Sequence, residues 1–365
     1  MIKIHSATLS PNKYQEYTHL ADYQRYGVNL HPLWFATYLE TFGGQEIILE
    51  ARENANGDLV GLLPLVWKNI NETRFLTLRR LVPLGYQPTD FFGILTVPGK
   101  EEEVTSAITN WLRENKNQWD QAHINLIPQD DLSWKSFTEN LYDTGFHPIV
   151  TNQHAFFKLD TSLSYDDYLG SLGTKKRKEL RYYMNKLSKA GNVLIVQITE
   201  DIERFFDDFL EHYAVRRSYT EQSDPFTRMP PLYHFVKNII SEYGDLGWMR
   251  LSILKINQKI IAYAYHMVYN HVLYYYMPAF MEEYQAYSPG KLLLSALIKN
   301  AFDDPNIREF NFMRSIQPYK QWFGPDKEGY ITISINNPWS WRNKVLPIIL
   351  NLSKIKKCIS AILTH

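Results

Sequence analysis

The 365-residue sequence contains a single cysteine, Cys358, so neither an internal disulfide nor a cysteine-ligated zinc site is available. It has no excess of either charge. Thirty-nine Lys and Arg balance thirty-nine Asp and Glu, which argues against attraction to nucleic acid through the overall field and leaves only local basic patches. No apolar run reaches the roughly eighteen residues of a membrane span, and the opening "MIKIHSATLS" lacks the apolar region of a secretory signal. His-Glu-x-x-His, the Gly-x-x-x-x-Gly-Lys-Ser/Thr phosphate loop and the Gly-x-Ser-x-Gly elbow are all missing. No metal is therefore expected, and the chain reads as soluble and cytoplasmic. Hydrophobic residues make up 45% of it, enough for packed cores, and at this length two domains are expected.

The chain repeats one layout. "EIILEARENANGDLVGLLPLVW" reads as two strands joined at Asn56-Gly57-Asp58, and "MRLSILKINQKIIAYAYHMVY" as two joined at Asn257-Gln258-Lys259. Each hairpin is followed by strand-like sequence, an amphipathic helix ("VTSAITNWLREN", "KLLLSALIKNAF") and a short strand ("AHINLI", "REFNFM"). This order predicts a duplication: an α/β (α+β) fold of two domains, each a mixed, mostly antiparallel sheet flanked by helices. The expected bounds are 1–158 and 159–337, with a helix from about 174 to 190 ending at Gly191. Residues 338–365 differ. They carry Arg342, Lys344, Lys354, Lys356 and Lys357 and no acid, while Val345, Ile348, Leu352, Ile355, Ile359 and Ile362 recur at helical spacing. Such a helix either docks on its own protein or meets a membrane surface or partner.

The stretch "YSPGKLLLSALI" poses a physical problem. Ser288 suits an N-cap, and Pro289 at the first helical position gives up a donor that would be unpaired anyway. Gly290 costs a helix about 0.5–1 kcal/mol relative to alanine. Either this is a plainly capped helix, or an anion rests on its exposed amides, where the dipole favours negative charge and a side chain would obstruct approach.

"YSPGKLLLSALI", "REFNFMRSIQPYKQWFG" and "TKKRKELRYYMNKL", with "GDLVGLLPL" and "LVPLGYQPTDFFGIL" in the first half, together resemble the CelD/BcsL-like branch of the GNAT acyltransferases. That branch is a tandem-GNAT group related to the Fem peptidoglycan transferases. The resemblance spans about residues 30 to 335. It implies an acyltransferase using acyl-CoA or acetyl-CoA, or an acyl carrier protein, with an amine of a small molecule, peptide or sugar as acceptor. Gln285, Ser288 and Gly290 fall on the coenzyme A-holding pattern, with Ser in place of its first Gly, and Lys291 follows. Met277-Pro278 falls on the strand whose backbone contacts the donor. Tyr319 falls where a tyrosine protonates the leaving thiolate, and Arg314 and Lys320 match substrate-side positions.

The sequence departs from the branch where Asn311 and Ile316-Gln317 replace acids, although Asn311 or Gln317 can still serve the reaction by orienting a carbonyl or an amine through a hydrogen bond. A base must then come from elsewhere: His266, which shares a strand face with Ala262 and Ala264, or Glu211 or Glu221. Alternatively, the amine arrives deprotonated. The basic run Lys175-Lys176-Arg177-Lys178 with Arg181 is either a solvated helix face or, as the Fem relationship implies, a site for an acidic substrate group. A tRNA donor would fit the Fem relationship, but one short patch on a neutral chain argues against it. A degenerate module that binds the donor without turnover is the alternative outside enzymology.

Overall fold

The computed structural model describes residues 2–54, 57–218 and 224–350, side chains at 153, 154 and 215–218 excepted. Asn56 of the first expected turn, Glu221, Cys358 and the apolar positions from Leu352 onward lie outside them. Two compact units emerge: residues up to Gln153 with those from Tyr330 on, and His154–Gly329.

The first unit comprises β1 (Ile2–Ala7), α1 (Tyr14–Asp22), α2 (Pro32–Phe42), β2 (Gln45–Glu53), β3 (Leu59–Thr73), β4 (Leu76–Pro83), β5 (Leu95–Thr96), α3 (Glu101–Glu114), β6 (Gln121–Pro128) and α4 (Ser133–Asp143). β1 to β4 form an antiparallel meander, with β5 against β3. α3 then carries the chain across to β6, which pairs parallel with β4. Val104, Ile108 and Leu112, at helical spacing, form the buried stripe of α3. The largest side chains of the core include Trp34, Phe35 and Trp119.

The second unit contains the later part of β7 (Ile149–Asp160), then α5 (Tyr165–Ser171), α6 (Gly173–Ala190), β8 (Val193–Ile198), α7 (Phe206–Ser218), α8 (Pro225–Arg228), α9 (Pro231–Asp245), β9 (Met249–Ile256), β10 (Lys259–Tyr269), β11 (Val272–Phe280), α10 (Pro289–Asp303), β12 (Glu309–Arg314), α11 (Pro318–Trp322) and the start of β13 (Asp326–Asn336). β8 to β11 again form an antiparallel meander, and α10 again crosses to a parallel neighbour, β12. The expected second turn is present: Asn257 and Gln258 both take positive φ, as a two-residue type I′ hairpin requires. Leu292, Leu293, Leu297 and Ile298 of α10 pack with Leu254, Ala262, Ala264, Leu273 and Phe310. A fully buried side chain of this size contributes about 1.5–3 kcal/mol, so α10 is anchored by its apolar face.

The strand closing each sheet lies out of sequence, and this corrects the expected bounds. β13 pairs with β6 of the first unit, from Tyr330↔Pro128 to Asn336↔Gln121, so residues 330–336 belong to the first unit rather than to a domain 159–337. β7, pairing with β12 through Phe310↔Leu159, enters the second unit from His154. After β13 the chain remains bound to the first unit. Ser340 Oγ donates to Asp120 Oδ1 at 2.7 Å, Asn337 Nδ2 to the Trp119 carbonyl at 2.7 Å, and Trp339 meets Phe146 edge-on at 5.2 Å. Residues 341–350 are helical. Among the described residues, no helix is long and apolar enough to cross a membrane.

Candidate functional site

β11 and β12 run parallel for three registered pairs, from Val272↔Glu309 to Tyr274↔Asn311, although β11 continues to Phe280 and β12 to Arg314. In this stretch Pro278 can donate nothing to a ladder. A bulge at Tyr276 changes the facing of β11: Tyr275 lies opposite His266, but Met277 lies opposite Tyr265. Tyr275, Pro278 and Phe280 thereby share one face, and Met277 turns to the other. A cavity of about 240 Å3 opens on the first face. β11 lines it with those three residues, the start of α10 with Gln285, Ser288, Pro289, Gly290 and Lys291, and the segment after β12 with Tyr319 and Phe323. Five predicted residues thus meet, and Met277 is not among them.

The helix start departs from the expected cap. Ser288 sits at φ 52°, ψ 49°, in the left-handed region, and its side chain makes no capping bond. Its carbonyl instead accepts from the amides of Lys291 and Leu292, at 3.0 and 3.1 Å. A non-glycine residue in this conformation costs roughly 1–2 kcal/mol. Gly290 has a packing role of its own, because a Cβ there would lie 3.2 Å from Cδ1 of Phe280. The ammonium of Lys291 is held, with Nζ 2.5 Å from Glu179 Oε1 and 4.3 Å from the centre of the Trp322 ring. Tyr319 is half-buried in the wall, and Gln285 is exposed at the rim.

The remaining predicted residues lie elsewhere. Asn311 is fully buried. Its amide donates to Glu309 Oε1 at 2.8 Å and accepts from the Met313 amide at 2.9 Å, and alternation places it on the face opposite Phe310 and Phe312. Lys320 is buried and points back along the chain, its ammonium donating to the carbonyls of Met313 and Arg314 at 3.3 and 2.8 Å. It braces a segment in which Met313 and Ser315 both have positive φ. Arg314 contributes its carbonyl to this clamp and lines no part of the cavity.

His266 is also fully buried. Its Nδ1 lies 3.2 Å from the Ala264 carbonyl, and among the described residues its Nε2 has no partner. Burial lowers its pKa to about 4, so the ring is neutral at neutral pH. The room expected beside Ala262 and Ala264 is filled by the α10 leucines. Glu211 is exposed on α7. Lys175 is exposed on α6, and Arg177, with Arg181, borders a separate depression floored by Leu180, Met184 and Leu292. Among the described residues, no group of three or more His, Cys, Asp or Glu could hold a metal ion.

Three contributors escape sequence reading. Phe280 limits the space at Gly290, Glu179 holds Lys291 from 112 positions away, and Trp322 lies between Lys291 and Lys176, the latter 5.4 Å from its ring centre. Only Trp322, three residues after Tyr319 on a short helix, left a local signal.

Residues 174–321 match the family model of the acetyltransferase (GNAT) domain, a span from α6 into α11 that includes every residue of this cavity but Phe323. The chain is similar in structure to FemX, at 12% identity and a TM-score of 0.61, over 90% of this chain and 96% of that one. A conserved protein of unknown function from Bacteroides thetaiotaomicron VPI-5482 is similar at 12% identity and TM-score 0.60, over 92% and 100%. L-PGS from Bacillus licheniformis is similar at 11% and 0.50, over 88% and 96%. At these identities the likeness is one of fold. No curated protein sequence matches the chain significantly. The domain match supports an acyltransferase.

Proposed function

We propose that the second unit binds an acyl thioester of coenzyme A, acetyl-CoA included, and hands the acyl group to an amine. The observation carrying this reading is the cavity at the parting of β11 and β12, where Gln285, Ser288, Gly290, Lys291 and Tyr319 meet. The diphosphate of the carrier rests against the opening of α10, where backbone amides and the helix dipole favour an anion. Lys291, paired with Glu179 and lying over Trp322, borders this opening. The left-handed Ser288 supports the reading, since backbone strain concentrates where a site needs it.

The amine nitrogen attacks the thioester carbonyl carbon, a C–N bond forms and the C–S bond breaks. Tyr319 gives its phenolic proton to the departing sulfur and regains one from solvent, and the amine sheds its extra proton to water. Among the described residues, no carboxylate or imidazole lines the cavity, and the scheme takes the amine as neutral on entry. Holding both reactants in register then supplies much of the rate. Asn311, His266 and Lys320 take structural parts in this scheme, while Lys175 and Arg177 remain placed to meet an anionic group of a substrate. The Ser-Pro-Gly start and the Tyr319-Lys320 pair favour the CelD/BcsL-like branch. With it comes an amine acceptor on a cell-envelope or secondary-metabolite precursor, met in the cytoplasm.

Calorimetric titration with coenzyme A and with pantetheine, which lacks the phosphates, tests the donor site. Coenzyme A should bind at least tenfold more tightly, and equal affinity overturns the reading. Acyl transfer from acetyl-CoA to a panel of amines then separates an enzyme from a donor-binding module. Activity that requires charged tRNA and disappears with RNase would favour the Fem-type route suggested by the FemX fold.

A further inference from the structure

α6 borders two hollows of the second unit. One of its faces sends Glu179 to Lys291 at the donor cavity. Another turns Arg177, Leu180, Arg181 and Met184 toward a separate hollow of about 320 Å3, to which α10 gives Leu292, Ser295, Ala296 and Lys299. Both sets recur at the spacing of a single helix face. Ser295 and Ala296 are small, which leaves space between the helices, and Leu180, Met184 and Leu292 make the floor aliphatic.

The charge around this hollow has one sign. No acid lines it, and the one acid of α6, Glu179, is engaged with Lys291. Lys299 is held by Asp303. Arg177 reaches only Thr174 Oγ1, at 3.4 Å, and among the described residues neither Arg177 nor Arg181 forms an ion pair. Like charges four positions apart destabilise a helix, and an oxyanion between the two guanidinium groups would relieve that repulsion while accepting their paired N–H donors. An aliphatic floor under a cationic rim is complementary to an amphiphile with a negative head. At about 30 Å3 per water-sized group the hollow admits roughly ten heavy atoms, which suits one short chain and excludes a two-chain lipid.

We propose that this hollow is a second ligand site, one that takes a single aliphatic chain of about eight carbons ending in a carboxylate. Arg177 and Arg181 hold the carboxylate, and Leu180, Met184 and Leu292 cover the chain. The site lies apart from the donor cavity and is independent of the acyl-donor reading.

The test uses the full chain at fixed ionic strength, with octanoate as probe. Acetate, n-octanol and n-octylammonium are the controls, lacking in turn the chain, the charge and its sign. Binding is followed by calorimetry and saturation-transfer NMR. Octanoate should bind saturably, about tenfold or more above each control, and saturating coenzyme A should leave it bound. Arg177→Gln combined with Arg181→Gln should weaken it by about tenfold, with the circular dichroism spectrum unchanged. Ala296→Leu, which fills the hollow and keeps both arginines, should weaken it as much, so the test stands if either variant folds. A control that matches octanoate, displacement by coenzyme A, or unchanged affinity in a folded variant overturns the proposal.

Discussion

The two crossover helices begin in opposite ways. The first turn of α3 holds Glu101, Glu102 and Glu103; that of α10 holds no acid and opens Pro289-Gly290-Lys291 behind a left-handed, uncapped Ser288. Acids in a first turn complement the helix dipole by roughly 0.3–1 kcal/mol each, so α3 opens as a helix built for stability should. α10 forgoes that gain, adds the cost of glycine, and relies on its buried leucines. Equivalent positions in one duplicated layout thus differ in the charge they carry. The second unit keeps its helix start free of acids, whereas the first places three carboxylates there.

Transplanting the α3 character breaks this comparison most severely. Gly290→Glu combined with Lys291→Glu should lower coenzyme A affinity by about 100-fold or more, roughly 2.7 kcal/mol, as read by calorimetry. Gly290→Ala separates charge from packing: it places only a methyl 3.2 Å from the Phe280 ring and should cost no more than a few-fold. Equal losses in both would mean that the glycine serves packing alone. The effect at Tyr319 is of another kind. Tyr319→Phe should slow turnover by about 100-fold, the lower end of what a general acid contributes, while coenzyme A affinity stays within twofold. A parallel loss of affinity would make the hydroxyl a binding group instead.

The repeated layout was legible because each half writes its hairpin, crossover helix and short strand in local periodicity, while Gln285, Ser288 and Gly290 were marked only by their resemblance to a family pattern and Tyr319 by its place after the short strand. What escaped depends on distant pairing. Residues 330–336 alternate like any strand, and nothing local shows that they join β6, some two hundred positions earlier. The bulge at Tyr276 turns the Met277 side chain away from the cavity, and no residue type announces a bulge. Lys320 reads equally as a substrate cation or a structural one, and its bonds to the Met313 and Arg314 carbonyls depend on a backbone turn with no sequence signature.

The smallest effect contrasts the buried histidine that each unit keeps. Burial lowers both His31 and His266 to about 4. His31 uses both ring nitrogens: Nε2 lies 3.0 Å from Thr18 Oγ1, and Nδ1 accepts from the Leu33 amide at 3.3 Å, capping α2. His266 leaves Nε2 unpaired among the described residues. With folded pKa values below the unfolded 6.5, each ring contributes stability that is fully present above about pH 6.5 and lost as pH falls toward 4. Replacing either by Leu should flatten that part of the pH–stability curve in urea titrations. At pH 7 the two replacements should part. His31→Leu should cost about 1 kcal/mol, the size of a lost cap. His266→Leu, which removes an unsatisfied buried nitrogen along with one hydrogen bond, should lie closer to neutral. A larger loss at His266 than at His31 would mean that its Nε2 meets a partner in solution, and would return His266 to consideration as a working residue of the second unit.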